Sequence, residues 1–448
     1  MLKHPFSSLV INKEGTLLFV TVQNNILVYE LQTKELLDRW TDEVSTDFVI
    51  KKKFEKIIEE AKKKKEDSEK EEKSAEESSE KDSNAAKKQK LNSSKAKIPK
   101  IPTPGPGAPQ IFNDVRNLYL TPSEKYLIVT TNSDKAVVIF KLHKGEKSVL
   151  ELIKRQPFPK RPCSVSVSRD EKQLVLGDKF GDVYSIAVES PIIEDLGESN
   201  LDDKDEAKLP TPILGHVSML TNVMMTVDNN GKEKLITGDR DEHIRISNFP
   251  KSYVIDKFCF GHREFVSELL IPEFDRSLLI SGGGDEFVLT WDWLHDDKPL
   301  QKIDLKEYVT PYLTDSHLIP VRWVKTEEDK TRKEFCVAKI AVSEKTRKLV
   351  VLPEQTRILL VFKFDEDRKK FEFEKLIEDD DTISCMTVDS MNDKVYYGVD
   401  NKKDLVKVLD LDGFSVSKYE IESPIEVEDE KALYPLYNIG QLRKRSEH

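Results

Sequence analysis

Short runs in which apolar residues alternate with, or crowd out, polar ones recur along most of this chain. Thr16–Val22 (TLLFVTV), Ile26–Leu31 (ILVYEL), Tyr126–Thr131 (YLIVTT), Ala136–Leu142 (AVVIFKL), Gln173–Asp178 (QLVLGD) and Asp182–Val188 (DVYSIAV) are six of them. Their length, β-branched and aromatic content and flanking turn residues predict strands rather than helices. Helical spacing is scarce. One short amphipathic helix is predicted where Phe54, Ile57, Ile58 and Ala61 fall on one face.

The strands repeat. Seven segments enter an apolar strand from a turn: Gln23–Tyr29, Asp134–Phe140, Phe180–Ile186, Asp241–Ser247, Asp285–Trp291, Thr356–Phe362 and Lys403–Leu409. Where nothing intervenes their starts lie 46, 44 and 47 residues apart. The longer steps contain a charged insertion (42–106), a smaller acidic one (194–208) and a loop around Asp296 to Glu334. A period of about 45 is that of a four-stranded WD40 blade. The prediction is therefore all-β: a seven-bladed WD40 β-propeller, with residues 1–448 one cooperative domain. In such rings the first strands usually pair into the last blade.

Two blades carry a stronger signature. Gly261-His262 precedes Ser281-Gly-Gly-Gly-Asp285 and Trp291-Asp292. In WD40 blades such a His, Ser, turn Asp and Trp bond to one another, which assigns His262, Ser281, Asp285 and Trp291 to a tetrad. The preceding blade offers His216, Thr237 and Asp241 for the same positions, with Ser247-Asn248 in place of Trp-Asp. Part of its lock is missing, which leaves that blade's edge available for another role.

Composition sharpens the picture. The net charge of −11 means that the chain as a whole is not drawn to nucleic acid. Residues 42–106 are so dense in Lys, Glu and Ser that they cannot bury enough apolar surface to offset the entropy of ordering, and disorder is expected there. Four scattered cysteines without a Cys-x-x-Cys argue against disulfides and zinc, and for a reducing compartment. With neither a signal peptide nor a long apolar run, a soluble intracellular protein with no membrane contact is expected.

Candidate chemistry reduces mostly to structure. The Ser281–Asp285 glycine loop has strands on both sides, whereas a nucleotide or S-adenosylmethionine loop leads into a helix, so it reads as a turn. Asp239-Arg-Asp-Glu-His243 has groups suited to metal binding or acid–base work, but a structural turn is favoured. The same charged turn, rigidly mounted, suits a protein contact. His216 and His262 read as tetrad members rather than metal ligands, and Trp293 and Trp323 as packing residues. No catalytic, cofactor or metal site is expected. Two basic patches remain. Lys87-Lys-Gln-Lys90, with Lys95, Lys97 and Lys100, reads equally as a nuclear import signal or as a solvated charge run. The other lies in the basic C-terminal tail (433–448), where Arg443, Lys444 and Arg445 could meet phosphates or remain solvated.

Longer segments carry a resemblance. Gly107–Leu118 (GAPQIFNDVRNL), Gly177–Ile186 (GDKFGDVYSI), Ile213–Val223 (ILGHVSMLTNV), Asp239–Ser247 (DRDEHIRIS), Ser281–Trp293 (SGGGDEFVLTWDW) and Leu433–Arg445 (LYPLYNIGQLRKR) occur in order along most of the chain. They resemble the fungal WD-repeat, non-catalytic subunit of tRNA (guanine-N7)-methyltransferase. The resemblance implies a scaffold that needs no cofactor of its own. It would bind and stabilise, as a heterodimer in the nucleus, an S-adenosylmethionine-dependent enzyme that methylates guanine N7 in the tRNA variable loop. It also implies that Arg245 pairs with an acidic residue of that enzyme. Lys179, Asp239, Arg240 and Glu242 are the expected neighbours of that contact, and tRNA would be reached through the complex. The competing readings are a nuclear adaptor for a ubiquitin ligase or chromatin complex, and an enzyme acting alone.

Overall fold

A computed structural model describes residues 2–46, 112–145, 148–191, 211–401 and 403–445, together with 49, 51, 55, 58 and 59. The backbone divides into a unit of residues 1–42 and 114–448, and a second of residues 43–113. In the second, residues 46, 49, 51, 55, 58 and 59 are helical. The interior of the charged insertion, including Phe54, Ile57, Ala61 and the Lys87–Lys100 patch, lies outside the described residues, as does the acidic insertion at 194–208.

The first unit is a ring of seven four-stranded antiparallel sheets. Blade 1 spans Ser8 to Thr41, blade 2 Val115 to Pro157, blade 3 Pro162 to Gly215 and blade 4 Leu220 to Cys259. Blade 5 spans Val266 to Asp304, blade 6 Val337 to Glu378 and blade 7 Ile383 to Lys418. Each of the seven repeated segments lies at the third strand of a blade, such as Ala136–Leu142 or Phe287–Asp292. Those strands are apolar on both faces because each face packs against a neighbouring sheet.

The core sits between blades. Seven apolar clusters bridge the seven interfaces, as where Ile244 and Ile246 of blade 4 meet Leu269, Leu279 and Trp291 of blade 5. Among the described residues the cluster between blades 3 and 4 is the smallest. It has six buried residues, against ten to seventeen at the other interfaces.

Ring closure differs from the usual arrangement. Each blade is made of four consecutive strands, and among the described residues no N-terminal strand completes blade 7. The ends meet instead in a two-stranded clasp, Leu2↔Val427 and Lys3↔Glu426. Phe6, Leu9, Cys385, Tyr396 and Val408 pack blade 7 against blade 1 behind it. The loop before blade 6 folds into a short helix, Lys306–Val309, and a series of single 3₁₀ turns ending at Glu328–Lys330.

Candidate partner-docking site

In an antiparallel four-stranded blade, the turn between the second and third strands lies at the same end as the connection to the next blade. That end of blades 3 to 5 carries the expected site residues. In blade 5 the tetrad forms as expected. His262 Nδ1 donates to Asp285 Oδ2 at 2.8 Å, and its Nε2 meets the Ser281 hydroxyl at 2.7 Å. Trp291 Nε1 donates to the same hydroxyl at 2.8 Å. The serine thus accepts from tryptophan and donates to histidine, a fully satisfied buried chain. Gly261 makes room for it: a side chain there would run into the Trp291 ring.

Blade 4 corrects one expectation. The carboxylate that holds His216 is that of Asp239, not Asp241. His216 Nδ1 lies 2.8 Å from Asp239 Oδ2, and Nε2 lies 2.8 Å from the Thr237 hydroxyl. The other Asp239 oxygen accepts the backbone N–H groups of Asp241 (2.8 Å) and His243 (3.0 Å). The physical reason is position. Asp239 is the buried last residue of its strand, whereas Asp241 rides the turn that Asp239 caps. Asp178 caps the next turn upstream in the same way, accepting from Phe180 and Asp182. Gly177-Asp178 and Gly238-Asp239 are the sequence signal that counting back from the following strand misses. Only 3% exposed, Asp239 is an internal strut rather than a contact residue.

Arg245 occupies the place vacated by tryptophan. Counted from the paired strand, Arg245 faces Thr237 as Leu289 faces Ser281, so Ser247 stands where blade 5 has Trp291. The guanidinium fills that space. It donates to the Ser247 hydroxyl (3.0 Å), to the Gly215 carbonyl (3.1 Å) and to the Ser252 carbonyl (3.1 Å). All three acceptors are neutral, and no carboxylate among the described residues pairs with it. Burial lowers its pKa from that of a free arginine, and the side chain is 8% exposed. Arg245 is thus a recessed cation that lacks a counter-charge among the described residues. Lys179 and Glu242 are exposed and Arg240 is half-buried.

The C-terminal segment is docked, not frayed. From Leu433 it crosses this end of the ring as a strap. Tyr434 donates its amide to His4 Nε2 (2.9 Å), and the Ile439 and Gly440 amides donate to Glu354 (2.6 and 2.7 Å). Arg443 pairs with Glu264 (2.8 Å) and Glu334 (3.3 Å), and Arg445 pairs with Glu334 (2.6 Å). Lys444 pairs with Asp241, and Arg240 donates to the Leu442 carbonyl. Burial works to raise the Asp241 carboxyl, but bonds from Lys444 and Ser218 outweigh it and hold the group below the usual carboxylate range. The three tail cations, read from the sequence as meeting phosphates or remaining solvated, are each engaged by a carboxylate of the ring. Trp293 is packing, its indole N–H on the Arg276 carbonyl, while Trp323 is half-buried beside Arg322.

Such a ring, with one complete and one altered tetrad and a salt-bridged strap, defines a WD40 β-propeller. Solved propellers agree at the level of fold: the structure titled U3-55K aligns with a TM-score of 0.52 at 13% identity, covering 88% of each chain. The family model for the tRNA methyltransferase TRM82 WD40 domain matches residues 18–210 and 198–410. Proteins named tRNA (guanine-N(7)-)-methyltransferase non-catalytic subunit TRM82 align over the full length of this chain and their own in Meyerozyma guilliermondii (43% identical) and Debaryomyces hansenii (41%). The Saccharomyces cerevisiae protein of that name is 33% identical over 99% of each chain. The chain belongs to the TRM82 family of non-catalytic tRNA (guanine-N7)-methyltransferase subunits.

Proposed function

We propose that this propeller binds a separate S-adenosylmethionine-dependent methyltransferase as a heterodimer and stabilises the form that makes N7-methylguanosine in the tRNA variable loop. The observation that carries this reading is the uncompensated guanidinium of Arg245, recessed where blade 4 has lost its tryptophan. A buried cation with only neutral acceptors has a large unmet demand for a carboxylate, and a guanidinium meets one bidentately. A partner that binds only the ordered enzyme shifts its population toward that form; a differential affinity of roughly 3 kcal/mol changes the ratio about a hundredfold.

The test is methylation of tRNA by the catalytic subunit alone, with wild-type chain, and with Arg245→Glu, alongside the melting temperature of each propeller. Activity that depends on wild type, and is lost in a folded Arg245→Glu, supports the reading. A wild-type chain that neither binds nor stimulates the enzyme ends it. Direct tRNA contact by the strap would require Arg443, Lys444 and Arg445 to exchange carboxylates for phosphates. Salt-dependent weakening of tRNA binding by the assembled complex on charge reversal there is the expected sign of it, and unchanged binding at low salt the refutation. Nuclear residence is assigned to the Lys87–Lys90 run; a tagged chain that stays nuclear with those lysines changed to Gln refutes that assignment.

A further inference from the structure

The connection from blade 5 to blade 6, residues 305–336, is built of turns and yet braced. Its two arms bridge at Leu318↔Lys333, and the Glu334 amide donates to the His317 carbonyl at 2.9 Å. His317 ties the arms to the ring. Its Nδ1 accepts the Thr314 amide at 3.1 Å, which leaves the proton on Nε2 to donate to the Glu354 carbonyl at 3.2 Å. Beyond the bridge, Val321–Trp323 is a single 3₁₀ turn in which the Pro320 carbonyl accepts the Trp323 amide at 2.8 Å. Arg322 and Trp323 are thereby presented on a fixed frame.

Between this loop and the strap lies a cavity of about 420 Å³, with Trp323 in its wall. Four arginines line it against two glutamates, so the cavity is cationic although the chain carries a net charge of −11. Three of the four are engaged: Arg240 by the Leu442 carbonyl, and Arg443 and Arg445 by carboxylates of the ring. Arg322 is different. It is exposed, and among the described residues its guanidinium has neither a carboxylate nor a carbonyl partner. It lies 5.7 Å from the Trp323 ring centre. Two more side chains of the lining, Gln355 and Gln441, have carboxamides without a hydrogen-bond partner among the described residues.

We infer that this cavity binds an unpaired nucleotide. A nucleotide brings a flat base, a base edge that donates and accepts, and an anionic phosphate, and the cavity holds an uncommitted partner for each. The Trp323 face offers stacking, which every base accepts. A carboxamide both donates and accepts, so Gln355 and Gln441 suit the base edge. The Arg322 fork meets the phosphate, with the engaged arginines behind it keeping the surroundings cationic. An acidic or phosphorylated peptide would use the cation and leave the ring face idle. Because the frame is braced before the ligand arrives, little ordering entropy opposes binding. One unit of an RNA strand and a free mononucleotide present this same chemistry. The inference is independent of the enzyme partnership proposed above.

The test is the anisotropy of a fluorescein-labelled single-stranded oligoadenylate titrated with the full-length chain, with AMP and inorganic triphosphate as unlabelled competitors. Trp323→Ala and Arg322→Glu should each weaken binding at least tenfold. Lys375→Glu, a charge reversal at an exposed lysine on the outer strand of blade 6, should not. Arg322 is exposed, so Arg322→Glu keeps the wild-type melting temperature and remains decisive even where Trp323→Ala loosens the loop. Given that dependence, displacement by AMP identifies a free nucleotide as ligand, and resistance to AMP identifies an RNA strand; both support the pocket. Failure of wild type to bind, or wild-type affinity in either variant, overturns it. Displacement by triphosphate at least as strong as by AMP reduces the cavity to a plain anion site, and stronger displacement by a phosphorylated acidic peptide assigns it to a peptide; each overturns the nucleotide. All these outcomes leave the methyltransferase partnership standing, because it is read from a different assay.

Discussion

The two aspartates of the Asp239–His243 turn make opposite predictions for stability. In Asp239→Ala, three donors lose their acceptor: the His216 imidazole N–H and the backbone N–H groups of Asp241 and His243. The carboxylate is 4% exposed, so water replaces it poorly. At about 1–3 kcal/mol for each buried donor left unsatisfied, the loss is roughly 3 kcal/mol or more. In Asp241→Ala, the lost partners are the Ser218 hydroxyl and Lys444. The two charged side chains are 29% and 34% exposed, so solvent screens the pair and the expected loss is about 1 kcal/mol or less. Urea unfolding followed by tryptophan fluorescence, comparing midpoints at constant slope, reads the difference directly. A loss in Asp241→Ala equal to or greater than that in Asp239→Ala would return Asp241 to the tetrad and refute the assignment.

Two further outcomes follow from the same geometry. Glu354→Gln leaves one acceptor oxygen for two strap amides and turns an N–H₂ toward them, so hydrogen exchange at Ile439 and Gly440 should accelerate at least about tenfold, the equivalent of one lost charge-assisted bond; unchanged protection would show that the strap is held elsewhere. At Asp379 burial favours the neutral acid, but bonds from Lys407, the Asp381 amide and Tyr397 outweigh it and depress the carboxyl pKa. Its stabilising contribution is therefore full above the ordinary carboxylate pKa of about 4 and disappears as pH falls through the depressed folded value. Asp379→Asn should flatten that part of the acid-unfolding profile, and an unaltered profile would remove Asp379 from the linkage.

How far the chain could be read without coordinates depended on the range of the interaction. The third strands of all seven blades were legible because a strand packed on both faces must be apolar throughout, and a repeat of about 45 residues leaves its period in the sequence. The blade 5 tetrad was legible too, because its Ser-Gly-Gly-Gly-Asp turn has the spacing of the motif. Blade 4 was misread by two residues: both Asp239 and Asp241 satisfy a short pattern, and only the depth of the strand end selects between them. The clasp that closes the ring pairs Leu2 with Val427, and nothing local in either segment announces it.

Local pattern, then, was enough for the propeller, for its seven units and for the loss of tryptophan at Ser247, since each follows from residues within one blade. The strap and the recessed Arg245 are of another kind. Glu264, Glu334, Glu354 and Asp241 reach the tail from four separate loops, and they meet Arg443, Lys444, Arg445 and the Ile439–Gly440 amides only because the ring brings those loops to one end. Arg245 becomes an uncompensated cation because the groups that the fold brings to its guanidinium are the Gly215 and Ser252 carbonyls and the Ser247 hydroxyl. Charge pairing and burial depend on distance in space, and in a closed ring that distance is set by the packing of every blade.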